Sequence, residues 1–289
     1  MSDRPGRRYR TAAAFRRALD DRLKAQARAE GVLVGNLRRR FLLECYLARI
    51  FSLPGDHWVL KGGSGLAVRL PEARHTKDLD LCHLHDQADA DACIHALRAA
   101  GRQDERDPFV FTVTNHARMT GLGGGYKLSV ECTLGGRVYE TFQIDLTFNL
   151  DFIGEVEILE RALPVQIGDI QSPPPIRLYP MVDQVADKVA AMYERHAGHP
   201  STRYRDLVDL VLIAQSGRTL DLAPLIAALR LQEVRRSITL PDRLTPPEPT
   251  WATNYPAEAS RAKVESDLSA ALEIAGQLVN PALHSLRRI

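Results

Sequence analysis

Two short runs in this chain carry residue types that can do chemistry together. One is Gly62-Gly63-Ser64, led in by Trp58-Val59-Leu60-Lys61. The other is Asp78-Leu79-Asp80, led in by Thr76-Lys77. Glycines let a backbone approach a ligand closely. A helix leaving at Ser64 would aim N–H groups and the positive end of its dipole at a phosphate. The Ser64 hydroxyl can join that contact, which makes Lys61, Gly62, Gly63 and Ser64 the candidate nucleotide-binding run. Residues i and i+2 of a strand share a face, so Asp78 and Asp80 would present two carboxylates together. Magnesium takes oxygen ligands and is typically held by one or two carboxylates plus substrate phosphates. Asp145, within Phe142-Gln-Ile-Asp-Leu-Thr-Phe, stands opposite the apolar face of Ile144, Leu146 and Phe148. If its strand runs beside that of Asp78, three carboxylates converge. Such a set can hold the metals that clamp the attacking and leaving oxygens of a phosphoryl displacement.

The elements around these runs can be read from periodicity and turn residues. Residues 11–29 predict a helix closed by Gly31, and a second helix is expected from about Asn36 to Leu53, stopped by Pro54-Gly55-Asp56. His57–Leu60 reads as a strand, Gly62-Gly63 as a turn, Ser64–Leu70 as a short helix and Asp78–Leu81 as a strand. A helix over 86–100 follows, then strands at Phe109–Thr114, Tyr126–Thr133 and Val138–Phe148, with one more at Leu163–Ile167. Gln171-Ser-Pro-Pro-Pro175 reads as a linker. Beyond it, helical spacing marks Val182 to Met192 and Leu207 to Ala214; helices are also expected over 222–231 and 258–279, and 241–256 is a Pro-rich loop. The expected organisation is therefore a basic helical arm (1–54), an α/β core (55–170) and a helical C-terminal domain (171–289).

Composition sets outer bounds. The chain has 289 residues, 45% hydrophobic and 26% charged, with a formal net charge of +2. This is ordinary for a soluble globular protein large enough to bury a core. Positive charge gathers in residues 1–40, where Arg7, Arg8, Arg38, Arg39 and Arg40 suit a polyanion such as RNA, or else line a solvated helix face. Cys45, Cys82, Cys93 and Cys132 fit no zinc ribbon and read as small buried hydrophobes of a reducing compartment. No stretch reaches the ~18 apolar residues of a membrane span, and no apolar run follows the basic start as in a signal peptide. A cytoplasmic protein without a membrane partner is expected. Gly121–Lys127 lacks the Gly-Lys-Ser/Thr ending of a P-loop and reads as a hairpin; His83 and His85 lack the further matched ligands zinc would want and read as surface histidines, and His196 and His199 flank a helix end, where His is common.

Gly-Gly-Ser, a short helix, then Asp-x-Asp resembles the signature of polymerase-β-like nucleotidyltransferases. More narrowly, Leu60-Lys-Gly-Gly-Ser-Gly-Leu-Ala-Val-Arg and Thr76-Lys-Asp-Leu-Asp are similar to the AbiEii/AbiGii toxin family, to which the mycobacterial MenT toxins belong. The resemblance spans roughly residues 35–215. It implies an α+β fold: a nucleotidyltransferase core of small mixed sheet with helices, plus a helical C-terminal domain. In that family a Lys on a later helix and an Asp in an R-D-x-x-D-L element complete the site. Here Lys188 and Arg205-Asp-Leu-Val-Asp-Leu, with Asp206 and Asp209, match them. Lys188 sits beside the buried stripe of Val182, Val185 and Val189 and can reach a triphosphate as a point charge. Asp206 and Asp209 are i and i+3, on one helix face, and Asp209 can orient Lys188 or help hold a nucleotide. A structural salt bridge between two helices is the alternative.

The resemblance further implies Mg²⁺ as cofactor and an NTP as substrate. It implies a toxin that moves a nucleoside monophosphate onto the 3′ end of tRNA and so blocks translation. A cognate antitoxin is implied as partner, either a transcription regulator or a kinase. Thr76 or Ser64 would be the target of a kinase, unless Thr76 only caps a turn. Two other readings stay open: transfer to a small-molecule or protein hydroxyl, and a non-catalytic NTP-binding module.

Overall fold

The computed structural model describes residues 8–70, 76–84, 89–119, 124–148, 150–195 and 198–287. The chain divides into two compact units. The first comprises Met1–Leu60, His75–Leu150 and Ile158–Arg177; the second comprises Lys61–Arg74, Asp151–Glu157 and Leu178–Ile289. The helices of residues 1–54, expected as a separate arm, fall within the first unit.

That unit begins with helices α1 (Ala12–Glu30) and α2 (Val34–Ile50). Thr11 caps α1 by accepting a hydrogen bond from Ala14 N–H, and Gly31 closes it at φ 66°, the left-handed conformation that suits glycine. The sheet is built from β1 (Trp58–Leu60), β2 (Asp78–His83), β3 (Phe109–Arg118), β4 (Tyr126–Leu134), β5 (Arg137–Phe148), β6 (Glu157–Leu159) and β7 (Ile176–Leu178); α4 (Ala90–Ala100) lies between β2 and β3 in sequence. These form one seven-stranded sheet in the order β3-β4-β5-β2-β1-β7-β6. The sheet is mixed, because β2 runs parallel to β5 while β3–β4, β4–β5 and β1–β2 are antiparallel. Gly135 and Gly136 turn β4 into β5 with φ of 59° and 76°, as a two-residue hairpin requires.

One sheet face is apolar. Leu79 and Leu81, Leu128 and Val130, and Ile144 and Leu146 are all buried, together with Phe109 and Phe111. Helix α2 adds Phe41 and Tyr46, and Tyr46 stacks on Phe111 at 4.7 Å between ring centroids. Period-2 alternation then forces Asp78, Asp80 and Asp145 onto the opposite face. A buried ion pair fixes α2 to the start of β3. Arg49 Nε donates to Asp107 Oδ2 at 3.0 Å and Nη2 to Oδ1 at 2.5 Å. The same guanidinium also donates to the carbonyls of Ala100, Gly101, Arg102 and Phe109.

The second unit contains α3 (Gly62–Arg69), α5 (Met181–Tyr193), α6 (Tyr204–Gln215), α7 (Leu222–Arg236), α8 (Trp251–Ala262) and α9 (Leu268–Ser285). Its core joins Leu66 and Leu70 to Val185, Val189, Leu210, Leu229, Trp251 and Val279.

The structure corrects several expectations. Gly62-Gly63 is the first turn of α3 rather than a turn before it, with Lys61 as the residue before the helix. Helix α4 begins at Ala90, capped by Asp89; positions 86–88 of the expected helix lie outside the described residues. No strand forms at 163–167, where Leu163, Val165 and Ile167 are buried without pairing. The expected helix 258–279 is two helices, broken where Lys263 adopts φ 59°. Helix α8 begins inside the Pro-rich stretch and contains Pro256. Burial outweighs the proline: Trp251 and Tyr255 are completely enclosed, and Trp251 Nε1 donates to Ser201 O at 2.9 Å.

Candidate active site

In the first unit, strand register lines up the carboxylates. Asp80 of β2 is the register partner of Asp145 on β5, and Asp145 is in turn the partner of Lys127 on β4. Register partners on neighbouring strands share a face. A row Asp80–Asp145–Lys127 therefore crosses three adjacent strands on the face away from the apolar core, with Asp78 one pleat behind Asp80. Asp145 Oδ1 lies 3.1 Å from Lys127 Nζ. That oxygen is buried, yet it takes no hydrogen bond among the described residues; the contact with Lys127 is one of charge rather than of good hydrogen-bond geometry.

Burial pushes the Asp78 carboxyl above the usual carboxylate range, and the charge of Asp145 adds to this. Lys127, Arg39 and Lys77 pull it back down. The backbone brings the three aspartates together, but among the described residues no three His, Cys, Asp or Glu side chains gather closely enough to hold an ion. Two aspartates that share a face repel, and Asp145 is drawn to the ammonium on its other side.

In the second unit, Ser64 is buried and donates from Oγ to Lys61 O at 3.1 Å. Gly62 takes φ 57°, a conformation that favours glycine. Two buried side chains hold this helix start, and sequence reasoning gave neither a role. Gln184 Nε2 donates to Gly62 O at 2.7 Å, and Gln184 Oε1 accepts from Arg69 Nη1 at 2.9 Å. Arg69 also donates to Glu157 Oε2 at 3.1 Å and to the carbonyl of Tyr179. The available signal was an arginine closing a largely apolar helix, which must find acceptors if it is buried.

Lys188 of α5 lies between two carboxylates of α6. Its Nζ is 3.1 Å from Asp206 Oδ1 and 2.5 Å from Asp209 Oδ2. All three are buried, and Arg203 reaches Asp206 at 3.4 Å. The motif pair is thus one buried charge cluster.

The remaining candidates are scattered. Thr76 precedes β2 rather than lying in it, and its Oγ1 donates to Asp78 O at 3.1 Å. Arg7 and His85 lie outside the described residues. Arg8 is fixed through its backbone N–H, which donates to Asp169 Oδ1 at 2.6 Å. Arg38 pairs with Asp20 at 3.4 Å and stands over the Tyr139 ring at 5.2 Å, while Arg39 pairs with Glu140 at 3.1 Å. Arg40 is half-buried on α2. Cys45, Cys82, Cys93 and Cys132 are buried thiols outside any disulfide. Among the described residues no helix is long and apolar enough to cross a membrane.

Comparison with known proteins defines the class. The family described as "Nucleotidyl transferase AbiEii toxin, Type IV TA system" matches residues 45–274. Among solved structures, the chain is similar to MenT4, a nucleotidyltransferase toxin of Mycobacterium tuberculosis H37Rv. Identity is 18%, the TM-score is 0.52, and the match covers 92% of this chain and 99% of that one. It also matches JHP933 of Helicobacter pylori at 15% identity and a TM-score of 0.49, over 88% of this chain and 94% of that one. No curated protein sequence matches. The protein is a nucleotidyltransferase in class, with the fold of that group. It belongs to the AbiEii toxin family of type IV toxin–antitoxin systems, and that membership implies an antitoxin partner.

In chemistry, though not in the present spacing of its side chains, the donor set of the first unit fits a magnesium ion: it offers only oxygens, carried by carboxylates on one face, and Asp145 Oδ1 is a buried acceptor that takes no hydrogen bond among the described residues.

Proposed function

We propose that this chain is a Mg²⁺-dependent toxin that transfers a nucleoside monophosphate from an NTP to the 3′ end of tRNA. The observation that carries the reading is the pairing of Asp80 with Asp145 across the parallel β2–β5 contact, which sets acidic groups side by side in a chain of this family. Asp78, Asp80 and Asp145 would hold the metal. Bound there, magnesium would neutralise triphosphate charge and polarise the phosphorus that is attacked. Ser64, with Lys61, Gly62 and Gly63, would bind triphosphate oxygens. Lys188 would contribute a positive charge to the nucleotide, held in place by Asp209 and Asp206. The acceptor hydroxyl oxygen forms a bond to the α-phosphorus, the α–β phosphoanhydride bond breaks, pyrophosphate leaves, and the hydroxyl proton passes to solvent.

The basic side chains of the first 40 residues supply the counter-charge an RNA backbone needs. Thr76 and Ser64 stand as the positions a kinase-type antitoxin would modify. The test is incubation with each α-labelled NTP, Mg²⁺ and total tRNA. Label at the tRNA 3′ end is expected, lost when the 3′ hydroxyl is oxidised beforehand. Label on the protein itself or on a small molecule, with tRNA unlabelled, would overturn the acceptor and keep the chemistry.

A further inference from the structure

Lys127 has no part in the motifs, yet it stands at the end of the acidic row. Its register partner is Asp145, whose own partner is Asp80. Neighbouring strands lie about 4.8 Å apart, so the three side chains compete for the same space above the sheet. The Lys127 side chain is 44% exposed and that of Asp145 29%, with 3.1 Å between Nζ and Oδ1. Asp145 is thus neutralised from the β4 side, and no three-carboxylate cluster is gathered among the described residues. A hydrogen-bonded structural salt bridge would satisfy the oxygen it holds; here Oδ1 takes no hydrogen bond among the described residues. The pair is held by charge alone, which another cation can replace.

We propose that Lys127 is a positioning residue, the resident counter-cation of the acidic row, and that a divalent cation binds by displacing its ammonium from Asp145. The proposal rests on the reading of Asp78, Asp80 and Asp145 as metal ligands. In the metal-free protein Lys127 relieves the repulsion among the aspartates. On binding, the cation takes over that task and draws Asp145 toward Asp80. Lys127 therefore stabilises the empty site and weakens metal binding by the same amount, since every bound ion must first break the pair.

The test is Mn²⁺ binding, read by electron paramagnetic resonance, and melting temperature with and without Mn²⁺. The proteins are wild type, Lys127→Met, Lys127→Arg, Asp145→Asn and the Lys127→Met/Asp145→Asn double variant. Lys127→Met keeps the apolar stem and removes the charge. It is expected to melt lower without metal, to bind Mn²⁺ about two- to fivefold more tightly, as suits a partly exposed pair, and to gain more melting temperature from it. Lys127→Arg should behave as wild type. The gain should vanish in the Asp145→Asn background. Unchanged or weaker Mn²⁺ binding by Lys127→Met, or a gain that survives Asp145→Asn, would overturn the proposal while leaving the metal site standing. Mn²⁺ bound by neither wild type nor Lys127→Met would overturn the metal site and the proposal with it.

Discussion

At the scale of single residues, the site carries a charge that folding disfavours. Asp78 is held above its ordinary value first by burial and then by Asp145. A carboxyl raised on folding contributes stability that is fully present below its unfolded value and is lost as pH rises through the folded one. Metal-free Asp78→Asn is therefore expected to melt higher than wild type at neutral pH. The difference should close as the pH falls below about 4, the ordinary aspartate value. Thermal melts across pH in the presence of chelator measure this; a variant that melts lower at neutral pH would show that the Asp78 charge stabilises the empty site. Asp78 and Asp80 were legible because a period-2 run in a strand fixes which side chains share a face. Asp145 was legible only conditionally, since no single strand announces its neighbour. Lys127, Arg69 and Gln184 were not legible as site residues. Each acts through a partner far along the chain, and residue type alone gives a buried glutamine no address.

Elements were readable where local chemistry decides them. Thr11 and Gly31 bracket α1, and the Gly135-Gly136 turn sets the β4–β5 hairpin. The three-residue strands β6 and β7 carry too short a pattern to announce themselves. The burial that Leu163, Val165 and Ile167 suggested is real, but it is packing without a strand partner. The first part of helix α8, up to 257, went unread because its Pro256 argues locally against a helix, while Trp251 and Tyr255 decide the matter through tertiary burial. The Arg49–Asp107 pair is the element-scale counterpart of the site. It joins α2 to β3 without solvent, and its carbonyl contacts satisfy the guanidinium. Arg49→Met is expected to destabilise the first unit by about 3–5 kcal/mol, because Asp107 is left buried and uncompensated. Denaturant unfolding measures it, and a loss under about 1 kcal/mol, the range of an exposed pair, would contradict the buried-network account.

At the scale of the whole molecule, the two units interleave along the sequence. A division near Gln171–Pro175 was expected from the proline run, but Lys61–Arg74 belongs with the later helices. The reason is that Leu66 and Leu70 join the helical core, which no reading of consecutive residues exposes. The acidic row and the Gly62–Ser64 helix are consequently carried by different units, though few residues separate them in sequence. The fold class and the family were legible because both motif runs survive in order, and the AbiEii match over 45–274 bears that out.

Nucleotidyl transfer by the acidic row is open to direct test. The direct measurement supplies tRNA and Mg²⁺ with an NTP labelled either at the α- or at the γ-phosphorus, using wild type and Asp80→Asn. The expected result is acceptor labelled from the α position only, γ label recovered as pyrophosphate, and at least a hundredfold loss of both in Asp80→Asn, about 2.7 kcal/mol or more of transition-state stabilisation. Acceptor labelled from the γ position, or undiminished transfer by Asp80→Asn with its melting temperature intact, would contradict it.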